Sequence, residues 1–101
     1  MQKQQQLFVE QDTLVSIDPT QNRYRAYQVE MTKTQPKTIT KRWGRVEEKD
    51  GTWQLRRNKW QGEKEVDVPD DLDDFDSEDI YNQILEQKRK RGYVDYSELR
   101  F

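Results

Sequence analysis

Arg23-Tyr-Arg-Ala-Tyr-Gln-Val-Glu-Met-Thr32 is the stretch whose reading decides the fold. Successive side chains of a β-strand point to opposite faces. Arg25, Tyr27, Val29 and Met31 therefore share one face, and Tyr24, Ala26, Gln28 and Glu30 share the other. The segment reads as a central strand. Working outward, Asp18-Pro19 marks a turn before it and Gln35-Pro36 a turn after it. Residues 7–17 carry enough β-branched and apolar side chains for a first strand, and residues 38–48 form a third. Lys49-Asp50-Gly51 reads as a hairpin, because Asp-Gly supplies the positive φ angles that a tight turn needs. Residues 52–60 follow as a fourth strand, and residues 63–68 as a short charged edge strand after the Gln61-Gly62 turn. Strict alternation along 52–60 puts Trp53 and Trp60 on opposite faces, so at most one of them joins a core.

The pattern then changes period. Ile80, Ile84 and Leu85, joined by Tyr81, make a narrow apolar stripe over residues 76–91, suited to packing on a sheet from one side. Asp76 is the expected N-cap, with Phe75 stapled onto Ile80 and Asp79 in the place of the capping-box acid. Gly92 is placed to end the helix in the left-handed conformation. Residues 93–101 are apolar enough to return to the sheet. The expected fold is α+β, a single antiparallel sheet of four to five strands with one helix packed on one face. Residues 1–6 are polar, glutamine-rich and expected to be disordered, and residues 7–101 form one domain with an acidic loop at about 63–76.

Composition narrows the chemistry. The 101 residues include no cysteine and no histidine, which removes disulfides, thiolate zinc sites, the cysteine nucleophile and the commonest general base. With no defensible nucleophile and base pair, a non-catalytic protein is expected. Only 31% of residues are apolar and 38% are charged, so the core must be thin and lean on aromatic rings. No apolar run approaches the length of a membrane span and no leader pattern is evident, so a cytoplasmic protein without membrane contact is expected. The formal net charge of −2 averages two opposed regions. Residues 33–62 hold nine Lys and Arg against three acids, whereas residues 63–79 hold ten acids against one lysine. The acids do not form a calcium loop. Starting from Asp74-x-Asp76-x-Glu78, the sixth place is Asp79 where glycine belongs, and the twelfth is Leu85 where glutamate belongs. No metal and no cofactor are expected.

The third strand carries the most informative motif, Lys41-Arg-Trp-Gly-Arg-Val46. Alternation sets Lys41, Trp43 and Arg45 on one face and Arg42, Gly44 and Val46 on the other. Two cations are poor company for a buried ring, so Trp43 is expected at the surface, where an aromatic can lie on a sugar or base while cations meet phosphate oxygens. A mid-strand glycine costs stability unless something approaches closely, so Gly44 is read as admitting the helix or a neighbouring aromatic. Asn22 either fixes the turn before the second strand or touches a ligand, and Arg25 is either a structural arginine or a phosphate contact. Acids at the start of the helix and Lys88 to Arg91 at its end complement the helix dipole, which explains part of the charge without any partner.

Three elements together resemble the WGR domain, a small module of the DNA-dependent poly(ADP-ribose) polymerases and of many short bacterial proteins. Asn22, Arg25 and Tyr27 resemble its Asn-x-x-Arg-x-Tyr element, Arg42 to Val46 its core, and Lys88, Arg91, Gly92 and Tyr93 its closing Lys-x-x-Arg-Gly-Tyr. They span roughly residues 12–96. The resemblance implies recognition of DNA ends or nicks without sequence specificity. Trp43 would stack on the terminal sugar and Arg45 would engage the backbone, with Arg42 and Lys41 as supporting cations. Asn22, Arg25, Tyr27, Gly44, Gly92 and Tyr93 would be the structural part of the motif. The alternative is a protein-interaction module or adaptor that uses the same aromatic and arginines against an acidic partner.

Overall fold

The computed structural model describes residues 9–32, 37–68, 74–97 and 99, and the fold is α+β: a mostly antiparallel sheet with one helix. The expected disordered start at 1–6 and the tip of the acidic loop at 69–73 lie outside the described residues. Strands β1 (Val9–Asp18) and β2 (Arg23–Thr32) form a long antiparallel hairpin, and β3 (Ile39–Lys49) pairs with the other edge of β2. The central position expected for residues 23–32 is therefore observed. Beyond β3 come two short strands on one edge: β5 (Gly62–Val66) covers Ile39 to Trp43, and β4 (Thr52–Leu55) covers Val46 to Lys49. Helix α1 (Asp74–Lys90) follows, and β6 (Val94–Asp95) closes the sheet against β1.

Four details differ from the sequence expectation. Among the described residues the sheet has six strands rather than four to five, because the C-terminal return pairs with β1, though over two residues only. The fourth strand stops at Leu55 instead of residue 60, since Arg56–Asn58 is a tight turn with Arg57 at φ 60° and Asn58 at φ 55°. That reversal cancels the alternation argument for the tryptophans: Trp53 and Trp60 both pack against the cluster of Val15, Ala26, Val46, Leu55 and Leu99. The helix begins at Asp74, so Asp76 lies inside its first turn rather than capping it. The proposed staple through the Phe75 side chain falls outside the described residues.

Alternation along the long strands feeds two buried clusters. Leu14, Tyr27, Val29, Met31 and Ile39 gather with Tyr81 and Leu85 of α1, while Val15 and Ala26 face the second cluster. A one-residue change of parity, from Leu14 to Val15 or from Ala26 to Tyr27, moves a side chain between them. Among the described side chains of α1, Ser77, Tyr81 and Leu85 are buried, spaced four apart as one helical stripe requires. Tyr81 is 1% exposed, and its hydroxyl donates to Asp12 Oδ2 at 2.7 Å, with the Val29 carbonyl oxygen at 3.1 Å as a second acceptor. No buried polar side-chain atom lacks a partner among the described residues. No helix there is long and apolar enough to cross a membrane.

The end of α1 is closed by hydrogen bonds from Gly92 N–H to the Arg89 carbonyl (3.0 Å) and from Tyr93 N–H to the Lys88 carbonyl (3.2 Å). This paired arrangement needs a left-handed residue, and Gly92 supplies it at φ 96°. Its consequence is positional: Tyr93 folds back beside Lys88, and its ring meets Tyr27 edge-on at 6.3 Å between centroids.

The buried phenols predict an alkaline limit. Burial, with a further contribution from Tyr93, pushes Tyr27 up to about 12, and burial together with the Asp12 hydrogen bond pushes Tyr81 higher still. Because the folded state holds these protons more tightly, the stability they contribute is complete below about pH 10 and is lost as pH rises through about 12. Urea titrations should show a decline above about pH 10 that is shallower in Tyr81→Phe. At pH 7 the same variant should lose about 1–3 kcal/mol, since the partly buried Asp12 carboxylate loses a donor. An unchanged pH slope in Tyr81→Phe would contradict this assignment.

Candidate nucleic-acid interface

The register of β2 on β3 assembles the site. Tyr27 stands opposite Trp43, Arg25 opposite Arg45, and Val29 opposite Lys41, so their side chains share one face. On the far side of β3, Lys41 is opposite Lys64 and Trp43 opposite Gly62. From α1, Lys88 continues the buried stripe one turn beyond Leu85 and reaches the same face. These elements surround an open depression of about 580 Å³, with Trp43 and Tyr93 among its aromatic walls.

Trp43 is 41% exposed, in keeping with the surface position expected from its cationic neighbours. Its indole occupies the space where a side chain at position 62 would stand; a methyl there would overlap the ring. Gly62 thus provides the seat for the tryptophan. Gly44 faces the opposite way, and a Cβ there would meet the Trp60 ring at 3.4 Å and Leu55 at 3.5 Å. A neighbouring aromatic, one of the two partners anticipated for it, does lie there, but at ordinary contact distance, so the approach does not itself require glycine.

Five cations line the depression: Arg25, Lys41, Arg45, Lys64 and Lys88. None of them forms an ion pair with a carboxylate among the described residues. The Lys88 ammonium lies 4.3 Å from the Tyr27 ring centre and 5.5 Å from that of Tyr93, a favourable cation–π position. Burial, followed by repulsion from Arg91, Lys41 and Arg25, lowers its proton affinity. An anion placed among these groups would relieve that repulsion.

Arg42 belongs elsewhere. It projects to the opposite face, where it donates to Glu30 at 2.7 Å, Glu63 at 3.0 Å and the buried Gln28 at 3.1 Å. Burial works against its charge, but the Glu30 and Glu63 carboxylates outweigh that, and its proton affinity rises. Arg42 ties β2, β3 and β5 together and is not among the residues lining the depression. Asn22 also lies apart, at φ 53° with its N–H bonded to the Pro19 carbonyl, and serves the turn into β2. Arg25, for which a structural and a contact role were both open, is exposed and lines the depression. Of the run from Lys88 to Arg91, Arg89 is directed to Glu86 and Asp95 instead. Glu47 and Glu48 are exposed and line neither this depression nor the smaller one beside it. Among the described residues, no group of three or more carboxylates is arranged to hold a metal ion.

Lys64, Lys88 and Gly62 were not singled out as ligand contacts from the sequence. Lys88 was within reach of such a reading, because it falls seven residues after Tyr81 and three after Leu85 on the packed stripe. Lys64 and Gly62 depend on the β3–β5 register, which no local pattern specifies.

The seat under Trp43 predicts a selective effect. Gly62→Ala should displace the indole and alter the intrinsic fluorescence, while Gly51→Ala, with nothing within 4 Å of its added carbon, should leave that emission unchanged despite a strained turn. An unaltered spectrum in Gly62→Ala would contradict the contact.

Comparison of the chain with protein-family models, curated proteins and solved structures found no match in any of the three.

Proposed function

We propose that this chain is a non-catalytic nucleic-acid-binding module of the WGR type, which recognises DNA ends or nicks through sugar stacking and phosphate contacts without sequence specificity. One observation carries the reading: an exposed indole on a glycine seat, ringed by five cations with no described carboxylate partner. Ordinary surface charges are dispersed or paired with acids, and a packed cluster of one sign favours a polyanion. The flat ring between them adds a stacking platform for a sugar or base. Helix α1 packs over the Tyr27 face of the sheet through Tyr81 and Leu85, which brings Lys88 to the rim.

Breaks are favoured over continuous duplex for a steric reason. A terminal nucleotide lacks a neighbour on one side, which leaves its sugar open to an aromatic. Trp43 takes the stacking role and Arg45 the nearest phosphate, with Lys41, Lys64, Lys88 and Arg25 around them. Arg42 supports the site through the strands it joins. All these contacts address backbone and end geometry, so base sequence has little influence.

The test is a titration of a 5′-phosphorylated nicked duplex against a closed hairpin of the same sequence. The nicked form should bind more tightly, and its affinity should fall steeply between about 50 and 200 mM salt as counterions are released. Trp43→Ala should weaken binding roughly tenfold or more, the worth of one stacking contact, whereas Arg89→Gln, whose side chain is directed to Glu86 and Asp95 away from the depression, should bind near the wild-type level. Equal affinity for both forms would refute break recognition. Binding of an acidic polypeptide without binding of DNA would favour a protein partner for the same face.

A further inference from the structure

We infer that the turn of Arg56, Arg57, Asn58 and Lys59 is a second phosphate-binding subsite, onto which the nucleic-acid strand held at Trp43 continues. The inference rests on the nucleic-acid reading above and adds to it the path and extent of the ligand.

The turn is anchored at both ends. Leu55 before it is 1% exposed, and Trp60 after it packs against the same cluster. The Gln61 N–H then donates to the Trp43 carbonyl oxygen at 2.8 Å, which ties the exit of the turn to the strand that carries the indole. The turn is therefore held in a set position relative to Trp43.

Its backbone points the same way. Arg57 sits at φ 60° and ψ 21°, followed by Asn58 at φ 55°. Asparagine visits this left-handed region readily, but for arginine it costs about 1–2 kcal/mol. Glycine at position 57 would make the same turn without that cost. A use for the Arg57 side chain beyond the turn itself would account for that strain.

The side chains supply the use. Arg56, Arg57 and Lys59, together with Arg45 and Gln61, line a smaller depression of about 160 Å³. None of these four cations pairs with a carboxylate among the described residues. Arg45 and Gln61 line both depressions, so the two are neighbours that share a wall. A single terminal phosphate would occupy only one of them. Two adjoining cationic depressions, one of them with a stacking ring, match a ligand with successive phosphates and an intervening sugar, namely a phosphodiester strand.

The experiment is a salt series of anisotropy titrations on the nicked duplex, comparing wild type, Trp43→Ala, Arg57→Gly and the triple variant Arg56→Gln/Arg57→Gln/Lys59→Gln, with circular dichroism to verify folding. The slope of log K against log salt should become shallower by about 0.9 for each phosphate that is no longer neutralised, and so by up to about 2.7 in the triple variant, which removes three cations. Arg57→Gly should keep or raise the melting temperature and still bind more weakly, an outcome that a purely structural role for Arg57 does not produce. A triple variant with the wild-type slope, while Trp43→Ala loses binding, would overturn the subsite and leave the Trp43 reading standing. Absence of wild-type binding to the nicked duplex would overturn both. Polyglutamate bound with equal affinity and salt slope would replace the strand with an acidic polypeptide, and so overturn the inference.

Discussion

The antiparallel register of β2 on β3 is the constraint on which the rest depends. With Tyr27 opposite Trp43 and Ala26 opposite Gly44, each strand divides its residues between two environments. A slip of one residue would turn Arg42 toward the depression and bury Trp43 against Trp60. Side chains on both faces hold the register in place. On one, Tyr27, Val29, Met31 and Ile39 are buried with Tyr81 and Leu85. On the other, Arg42 locks Gln28, Glu30 and Glu63 across three strands. Glu30 and Glu63 lie on the Arg42 face of the sheet, opposite the cations around Trp43.

Scarcity of apolar residues shapes the site as well. With 31% apolar composition, the chain cannot cover both faces of a six-stranded sheet along their whole length. The second cluster draws on Trp53, Trp60, Tyr24 and Tyr96, and a Tyr24–Trp53 ring pair 6.1 Å apart contributes to it. The first cluster takes two buried side chains from α1 and ends at the Tyr27 ring, where Lys88 replaces a further apolar residue. Beyond that point the face is open and cationic. Trp43 stands in the open part, supported by the Gly62 backbone instead of a packed shell.

Much of this was legible in the sequence, for reasons that vary with the element. Residues 23–32 alternate well apart from the Ala26-Tyr27 pair, and their bounds as a strand, Arg23–Thr32, match the sequence expectation. Asp50-Gly51 adopts the positive φ values that the dipeptide favours, and Gly92 ends the helix as its conformational freedom suggests. The sharing of one face by Lys41, Trp43 and Arg45 followed from parity alone. What stayed hidden depended on chain reversals and distant partners. Nothing in Arg56-Arg57-Asn58 announces a left-handed arginine, so the fourth strand looked twice its length and Trp60 fell on the wrong face. The seat at Gly62 and the arrival of Lys64 required the pairing of β5 with β3, and Arg42 showed its carboxylate partners only once β2 and β5 lay on either side of β3.

Whether the Trp43 face receives nucleic acid can be measured directly on the three tryptophans, because each indole N–H gives its own NMR signal. On titration with a nicked duplex, the Trp43 signal should shift and broaden most, while the Trp53 signal, packed on the opposite face against Tyr24, should hold its position. Movement of the Trp53 signal with Trp43 unmoved would contradict binding at this face.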